Sequence, residues 1–195
     1  MPILAIIVIA VLAIAAYLIA TYNRFVTIKT QIEASIQEIG NQLKRQADLI
    51  PNLENSVKGF LKHEKGIFEE LTSARKAVET AVKSGTAKAL DAAEEQVSAV
   101  LPKIQILVES NPEIKSAELV GNLMNELRDT ADKLMYARRT VIDLTQDFNQ
   151  MLVTIPSSLV GTLFGMTKQS GLSTPMSGTH LEVAESETKS PKINL

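Results

Sequence analysis

The N-terminal stretch of this chain, from Met1 to Tyr22, contains no charged side chain. Its inner part, Ile3 to Ala20, reads ILAIIVIAVLAIAAYLIA and is apolar apart from the phenol of Tyr17. A transmembrane helix needs about 20 such residues at about 1.5 Å each, so this run is long enough to cross a bilayer. A surface helix of a soluble protein keeps a polar face, which this run lacks. The sequence therefore predicts a transmembrane helix over residues 1–22.

A cleaved signal peptide is the alternative, because Ala13-Ile14-Ala15 resembles a small-residue cleavage site. The basic region typical of signal peptides does not precede the apolar run, which favours a membrane span. Basic residues follow the run instead, at Arg24, Lys29, Lys44 and Arg45. By the positive-inside rule, the N-terminus then lies outside and the bulk of the chain lies in the cytoplasm. We expect a single-pass protein of the cell (inner) membrane.

Beyond the span, apolar residues recur three and four positions apart, which is the pattern of amphipathic helices. Four stretches show it, over residues 25–43, 53–81, 90–107 and 117–155. Pro51 separates the first two stretches, and Lys83-Ser84-Gly85-Thr86 predicts a glycine stop followed by a new helix cap. Asn111-Pro112-Glu113 predicts the start of the fourth helix, with Asn111 as its cap.

The predicted fold is therefore all-α, because four amphipathic helices bury their apolar stripes most simply against one another. The transmembrane helix continues into an antiparallel up-and-down four-helix bundle over residues 23–166. Residues 167–195 are rich in Ser, Thr, Gly and Pro and are expected to be a disordered tail. The helical spacing of the apolar residues continues past Pro51 almost unbroken. The first two helices could therefore instead form one kinked rod.

Composition argues against catalysis and metal binding. The chain has no cysteine and two histidines, which excludes a disulfide framework, a thiolate nucleophile and a cysteine-ligated zinc site. His63-Glu64 begins the H-E-x-x-H pattern of metalloproteases, but the second histidine position is Ile67. A net charge of −2 gives no global attraction to nucleic acid. We expect no enzymatic activity, no cofactor, no metal and no small-molecule substrate.

A series of short motifs follows the predicted span. In chain order these are Tyr22-Asn23, QLKRQADLIPNLENSVKGF from Gln42 to Phe60, His63-Glu64, NPEIKSAE from Asn111 to Glu118, YARR from Tyr136 to Arg139, Phe148-Asn149, and IPSSLVGTLFG from Ile155 to Gly165. Together they resemble the LemA family from Tyr22 to about Met166. The resemblance implies a membrane-anchored, mainly helical four-helix bundle whose biochemical role in the family is not established. The chain departs from the usual family pattern at Lys44-Arg45-Gln46 and at Thr140-Val141.

Two charged residues, Glu64 and Arg138, interrupt otherwise apolar stripes. A buried charge costs several kcal/mol unless it is paired, so each is expected to have a partner that sets helix register, or to bind another molecule. Helix lengths counted from Pro51 and Pro112 place Arg138 at the level of Asn23, which is a candidate as well.

Another group of candidates surrounds the predicted first turn between helices. Asp48 and Asn52 are expected in that turn, where one of them caps the second helix. Alternatively, Asp48 forms a patch with Lys44 and Arg45 that recognises a protein partner, and Asn52 is a candidate for partner binding as well. Asn149, in one of the stretches that carry the family resemblance, is a further candidate for a buried polar or partner-binding residue.

The last group of candidates is expected to meet the membrane surface. The fourth helix should return toward the bilayer and bring Arg139 close to Arg24, below the headgroups. Leu163 and Phe164 belong to the apolar segment Leu159–Met166, which is too short to span a bilayer. This segment either contacts the membrane or covers the core of the bundle.

These patterns predict a membrane-anchored helical scaffold or interaction protein that is not an enzyme. Its expected partners are membrane lipid and either copies of itself or other membrane proteins. Two alternatives remain open: a self-assembling structural protein that bends or lines the membrane, and a regulatory subunit of a membrane protease or sensor. Small residues in the span, such as Ala5 and Ala16, would permit the close helix packing that fits both alternatives.

Overall fold

The computed structural model of the chain describes residues 2–57, 65–112 and 118–172. All regular secondary structure within these ranges is helical. The helices are α1 (Pro2–Val57), α2 (Lys65–Ser84), α3 (Ala87–Ser110), α4 (Glu118–Val153) and α5 (Ser157–Leu163). For these residues the predicted all-α class is confirmed.

Helix α1 has two parts of different character. Residues 2–17 are exposed on every face, and this part of the helix is long and apolar enough to cross a membrane. From Thr21 onward, the same helix buries a stripe that includes Phe25, Ile28, Ile32, Ile39, Leu43, Ile50 and Leu53. The predicted continuation of the apolar helix into the packed part of the protein is therefore one uninterrupted helix.

The packed part contains three apolar clusters arranged along α1. The proximal cluster lies nearest the apolar segment of α1 and contains Phe25, Ile28, Ile32 and Phe148. The middle cluster joins α1, α2, α3 and α4, for example through Leu43, Val78, Val97 and Leu134. The distal cluster joins the same helices, for example through Ile50, Leu71, Ile104 and Leu127. Among the described residues, the buried members of the proximal cluster come from α1 and α4, and α5 packs against both of these helices.

Helix α2 packs against α1 in the middle and distal clusters, so these two helices are not one continuous kinked rod. Pro51 nevertheless lies inside α1, and the predicted turn at Asp48 and Asn52 is wrong because both residues lie within that helix. A proline inside a helix costs about 3 kcal/mol. The neighbouring Ile50 and Leu53 are fully buried, and each such burial contributes about 1.5–3 kcal/mol. Packing therefore outweighs the local preference of proline.

Two helix boundaries involve short polar segments. At the first, Gly85 adopts a φ of 63°, which favours glycine, and the hydroxyl of Thr86 accepts a hydrogen bond from the N–H of Ala89 at 3.4 Å. The predicted stop and cap are thus confirmed. At the second, the side-chain amide of Asn111 donates to the carbonyl of Leu107 at 2.8 Å. Asn111 therefore closes α3, and Pro112 directly after it is helical again. Residues 113–117 lie outside the described residues, so the predicted role of Asn111 as the cap of the following helix stays a prediction.

After α5 the chain returns along α4 without regular secondary structure. Gly171 packs against Thr145, and Leu172 is buried in the middle cluster. The packed chain thus continues past Met166, the predicted end of the helical domain. Residues 173–195 of the predicted tail lie outside the described residues.

Candidate functional site

Aromatic residues connect α1 to the C-terminal half of the chain at the point where α1 leaves its apolar segment. The rings of Tyr22 and Phe164 lie 4.7 Å apart between centroids. The rings of Phe25 and Phe148 lie 5.3 Å apart in an edge-to-face arrangement, which is favourable for aromatic pairs. These contacts hold α4 and the end of α5 beside the start of the packed part of α1.

Helix α5 approaches its neighbours closely because of a glycine. A Cβ atom on Gly161 would lie 2.9 Å from Cδ2 of Leu152 and 3.4 Å from the ring of Phe25. The hydroxyl of Ser157 donates to the carbonyl of Met151 at 2.8 Å and thereby ties the first turn of α5 to α4. Together these contacts fix α5 across the end of the molecule that adjoins the apolar segment.

Asn149, a predicted buried polar or partner-binding residue, makes two hydrogen bonds to the backbone of Gln169. Its amide nitrogen donates to the carbonyl of Gln169 at 3.0 Å, and its carbonyl accepts from the N–H of Gln169 at 2.9 Å. The partner is therefore a segment of the same chain. Asn149 holds the returning segment against α4.

Arg138 forms ion pairs with Asp91 and Glu94 of α3, and all three side chains are largely buried. Partial burial by itself would lower the pKa of Arg138, but hydrogen bonds to Glu94 and Asp91 and their negative charges raise it above its usual value. The guanidinium is therefore held charged. This arrangement joins α4 to α3, as expected of a buried pair that sets register.

The predicted levels of Arg138 and Arg139 along the bundle are wrong. Because Phe148 contacts Phe25, Arg138 lies about 18 Å farther from the apolar segment than the position at which it would meet Asn23. Asn23 is exposed, and so is Arg139. Counting residues from Pro51 placed the first turn between helices too early in α1. This error shifted the predicted height of every later residue along the bundle.

The candidates near the predicted first turn lie on α1 and are not gathered in a turn. Arg45 forms an ion pair with Glu126 of α4, with both side chains partly exposed. Asp48 and Asn52 are exposed. Their role in recognising a protein partner stays a prediction.

A further set of polar residues, which the sequence patterns did not predict, is buried among the apolar clusters. They are Gln42, Gln46, Thr130 and Thr145. The hydroxyl of Thr130 donates to the carbonyl of Leu127 at 2.8 Å, whereas the side-chain carbonyls of Gln42 and Gln46 have no hydrogen-bond partner among the described residues.

The burial of two of these polar residues is indicated by their positions in the sequence. Gln46 lies between Leu43 of the middle cluster and Ile50 of the distal cluster, at the spacing of the apolar stripe. Thr130 lies in the same way between Leu127 and Leu134 on α4. Both residues therefore occupy the boundary between two apolar clusters, where polar groups specify register at a cost in stability.

The candidates for the membrane surface lie at the end of the molecule that contains α5. Arg24 is exposed beside a cleft of about 340 Å³, which Asp147 and Ser157 also line. Leu163 and Phe164 are exposed, at 68% and 48% of their maximal areas. These three predicted residues are thus close to the apolar segment of α1.

Glu64, the other charged residue on a predicted apolar stripe, lies outside the described residues together with His63. Within residues 2–57, 65–112 and 118–172, no group of three or more histidine or carboxylate side chains is placed to hold a metal ion.

Comparison with known proteins bears on the resemblance noted in the sequence. A search of the curated proteins finds no match. A family model described as the LemA family matches residues 35–194, which is most of the chain and includes α2 to α5 and the later part of α1. On the strength of that match, the chain belongs to the LemA family.

Proposed function

We propose that this protein is a membrane-anchored helical scaffold without enzymatic activity, which binds membrane lipid and either copies of itself or other membrane proteins. In this proposal, α1 crosses the inner membrane once with its N-terminus outside. Helices α1 to α4 form an antiparallel up-and-down four-helix bundle in the cytoplasm.

The observation that carries the proposal is the change of character within α1. Its first part exposes large apolar side chains on every face, for example Ile3 and Ile9, and the helix then continues without a break into the packed clusters. Such a surface is unfavourable in water by about 25 cal/mol per Å². A bilayer would remove that cost and would hold the packed helices at a set distance from its surface.

Contacts between α1 and α4 support the antiparallel arrangement. Phe25 contacts Phe148, whereas Arg45, farther along α1, pairs with Glu126, which precedes Phe148 on α4.

The contacts of two polar candidates support a scaffold as well. Arg138, like Asn149, contacts its own chain, as expected of side chains that stabilise a fold.

Membrane anchoring is tested by replacing one apolar residue of α1 with arginine. Ile9→Arg should release much of the protein from the membrane pellet after carbonate washing, because an arginine near the centre of a bilayer is costly. Ile106→Arg is the matched control, since Ile106 is 64% exposed on α3 and should tolerate the same change. Equal retention of both variants would contradict the anchor.

The scaffold is distinguished from a self-assembling structural protein by its mass in detergent. Size-exclusion chromatography with light scattering should give a discrete monomer or small oligomer for a scaffold. Rings or polymers would favour self-assembly. Capture of the full chain from native membranes would then identify the bound proteins.

A further inference from the structure

The end of the molecule next to the apolar segment of α1 carries an exposed apolar surface. Its members come from the end of α4, the following turn and α5: Val153, Ile155, Leu159, Leu163 and Phe164. The exposed fractions range from 48% for Phe164 to 79% for Ile155. We refer to these five residues as the juxtamembrane surface.

The juxtamembrane surface lies at the level where α1 would leave a bilayer. The apolar run of α1 ends at Ala20, and the ring of Tyr22 lies 4.7 Å from that of Phe164. Helix α4 passes Phe25 at Phe148 and has about one more turn before it ends at Val153. The surface is therefore continuous with the apolar segment of α1.

Charge is absent from this part of the sequence. No charged residue occurs between Asp147 and Lys168, and none occurs before Arg24. Contiguous exposed apolar surface of this kind marks an interaction site. The basic residues Arg24 and Lys168 flank the two uncharged stretches, as is common at the edge of a membrane contact.

Helix α5 has two faces. Leu159 and Leu163 are one helical turn apart and exposed, while Val160 and Gly161 are buried. With seven residues, α5 is about 10 Å long and cannot span a bilayer. A short helix that buries one face against the protein and exposes apolar side chains on the other can lie in the plane of the membrane, with the exposed side chains among the headgroups and upper acyl chains.

We propose that the juxtamembrane surface is inserted into the headgroup region of the same bilayer that α1 crosses. The proposal rests on the membrane anchoring by α1 proposed above. It gives the chain two adjoining membrane contacts, one transmembrane through α1 and one interfacial through the juxtamembrane surface. The second contact restricts the tilt and the rotation of the continuous α1 helix in the bilayer, which the span alone would leave free.

The absence of cysteine makes a direct test possible. Single cysteines at Leu159 and Leu163 are labelled with an environment-sensitive fluorophore in the full chain, which is then reconstituted into phosphatidylcholine vesicles. Vesicles made with lipids brominated near the headgroup or deep in the acyl chain report the depth of the label by quenching. Ile9→Cys is the control for the span. Met135→Cys is the control for an exposed apolar position on α4, away from the surface.

The expected result is that labels at Leu159 and Leu163 lose fluorescence most with the shallow bromines, and that the Ile9 label loses it most with the deep ones. The Met135 label should be unaffected. If the Ile9 label is quenched while those at Leu159 and Leu163 behave like Met135, the interfacial contact is wrong and the anchor stands. If the Ile9 label is not quenched, the anchor itself fails. The α5 labels could instead report a less polar environment as the protein-to-lipid ratio rises, without being quenched by either set of bromines. That result would assign the surface to a contact with a second copy and overturn the proposal.

Discussion

Arg138 and Arg139 are adjacent in sequence but have different surroundings. Arg138 pairs with Asp91 and Glu94 in a largely buried position. Arg139 is 79% exposed in its side chain and lies 3.8 Å from Asp143, one turn along the same helix. Exposed ion pairs contribute about 0–1 kcal/mol, whereas a charge left buried without its partner is much more costly.

Replacing Arg138 with methionine should therefore lower the free energy of unfolding by about 2 kcal/mol, because two partly buried carboxylates lose their partner. Arg139→Met is the matched control and should change it by less than about 0.5 kcal/mol. Denaturant unfolding of the full chain in detergent, followed by circular dichroism, measures both. Similar losses for the two variants would mean that the Arg138 pairs do not stabilise the fold.

The stability of the folded protein is expected to depend on pH through Glu54. Burial raises the pKa of its carboxyl, and the nearby charge of Arg75 only partly opposes this effect. Because the pKa is higher in the folded than in the unfolded state, the folded protein is favoured when Glu54 is protonated and loses stability as pH rises through the raised pKa. Glu54→Gln should therefore be more stable than the parent at pH 7, and the difference should vanish as pH falls below about 4.5. Thermal unfolding between pH 4 and pH 7 tests the sign of this difference in stability, with Glu33→Gln, at an exposed position, as the control. A difference in stability that grows toward low pH would contradict the prediction.

At the scale of elements, the helices differ in length, and this difference determines which of them reach the proximal cluster. Helix α4 has 36 residues, whereas α2 and α3 have 20 and 24. The middle and distal clusters contain α2 and α3, but the buried residues of the proximal cluster come from α1 and α4. Met151 and Met166 pack against this cluster from the end of α4 and the returning segment. The C-terminal part of the chain thus helps to cover a core that α2 and α3 do not reach.

Asn149 should control whether this returning segment stays in place. Asn149→Ala removes both hydrogen bonds to Gln169, and Leu172 should then leave the middle cluster more often. A Leu172→Cys variant makes this measurable as a faster reaction with a thiol reagent in the Asn149→Ala background. Gln150→Ala, at an exposed neighbouring position, should leave the rate unchanged. Equal rates in both backgrounds would show that Asn149 does not hold the segment.

At the scale of the whole molecule, the apolar part of α1 and the juxtamembrane surface together define one end of the protein. The opposite end contains the distal cluster and the Arg45–Glu126 pair. If α1 crosses the membrane, this distal end is the part farthest from the bilayer. It is then the part most accessible to a soluble protein partner.

The orientation across the membrane is a prediction from the basic residues that follow the span, including Arg24 and Lys29. A single cysteine at Ser84, an exposed position at the end of α2, should react with a membrane-impermeant maleimide only after the cells are permeabilised. A cysteine at Pro2 should react in intact cells. Labelling of the Ser84 variant in intact cells would reverse the topology.

Features that depend on neighbours along the chain could be predicted from the sequence. The apolar run before Tyr22 is a property of composition, and Gly85-Thr86 ends one helix and caps the next through contacts within a few residues. The apolar stripes likewise follow from helical periodicity, which is local. These features were therefore predictable, and so was the all-helical class.

Contacts between residues that are distant in the sequence depend on the tertiary structure. The helical state of Pro51, the choice of Asp91 and Glu94 as partners of Arg138, and the burial of Gln46 all depend on the register between helices. An error of a few residues at one turn moves every later contact by about 1.5 Å per residue, so counting along the chain could not find these pairs. Lateral packing between distant segments selects the register, because only one alignment buries all the apolar stripes together.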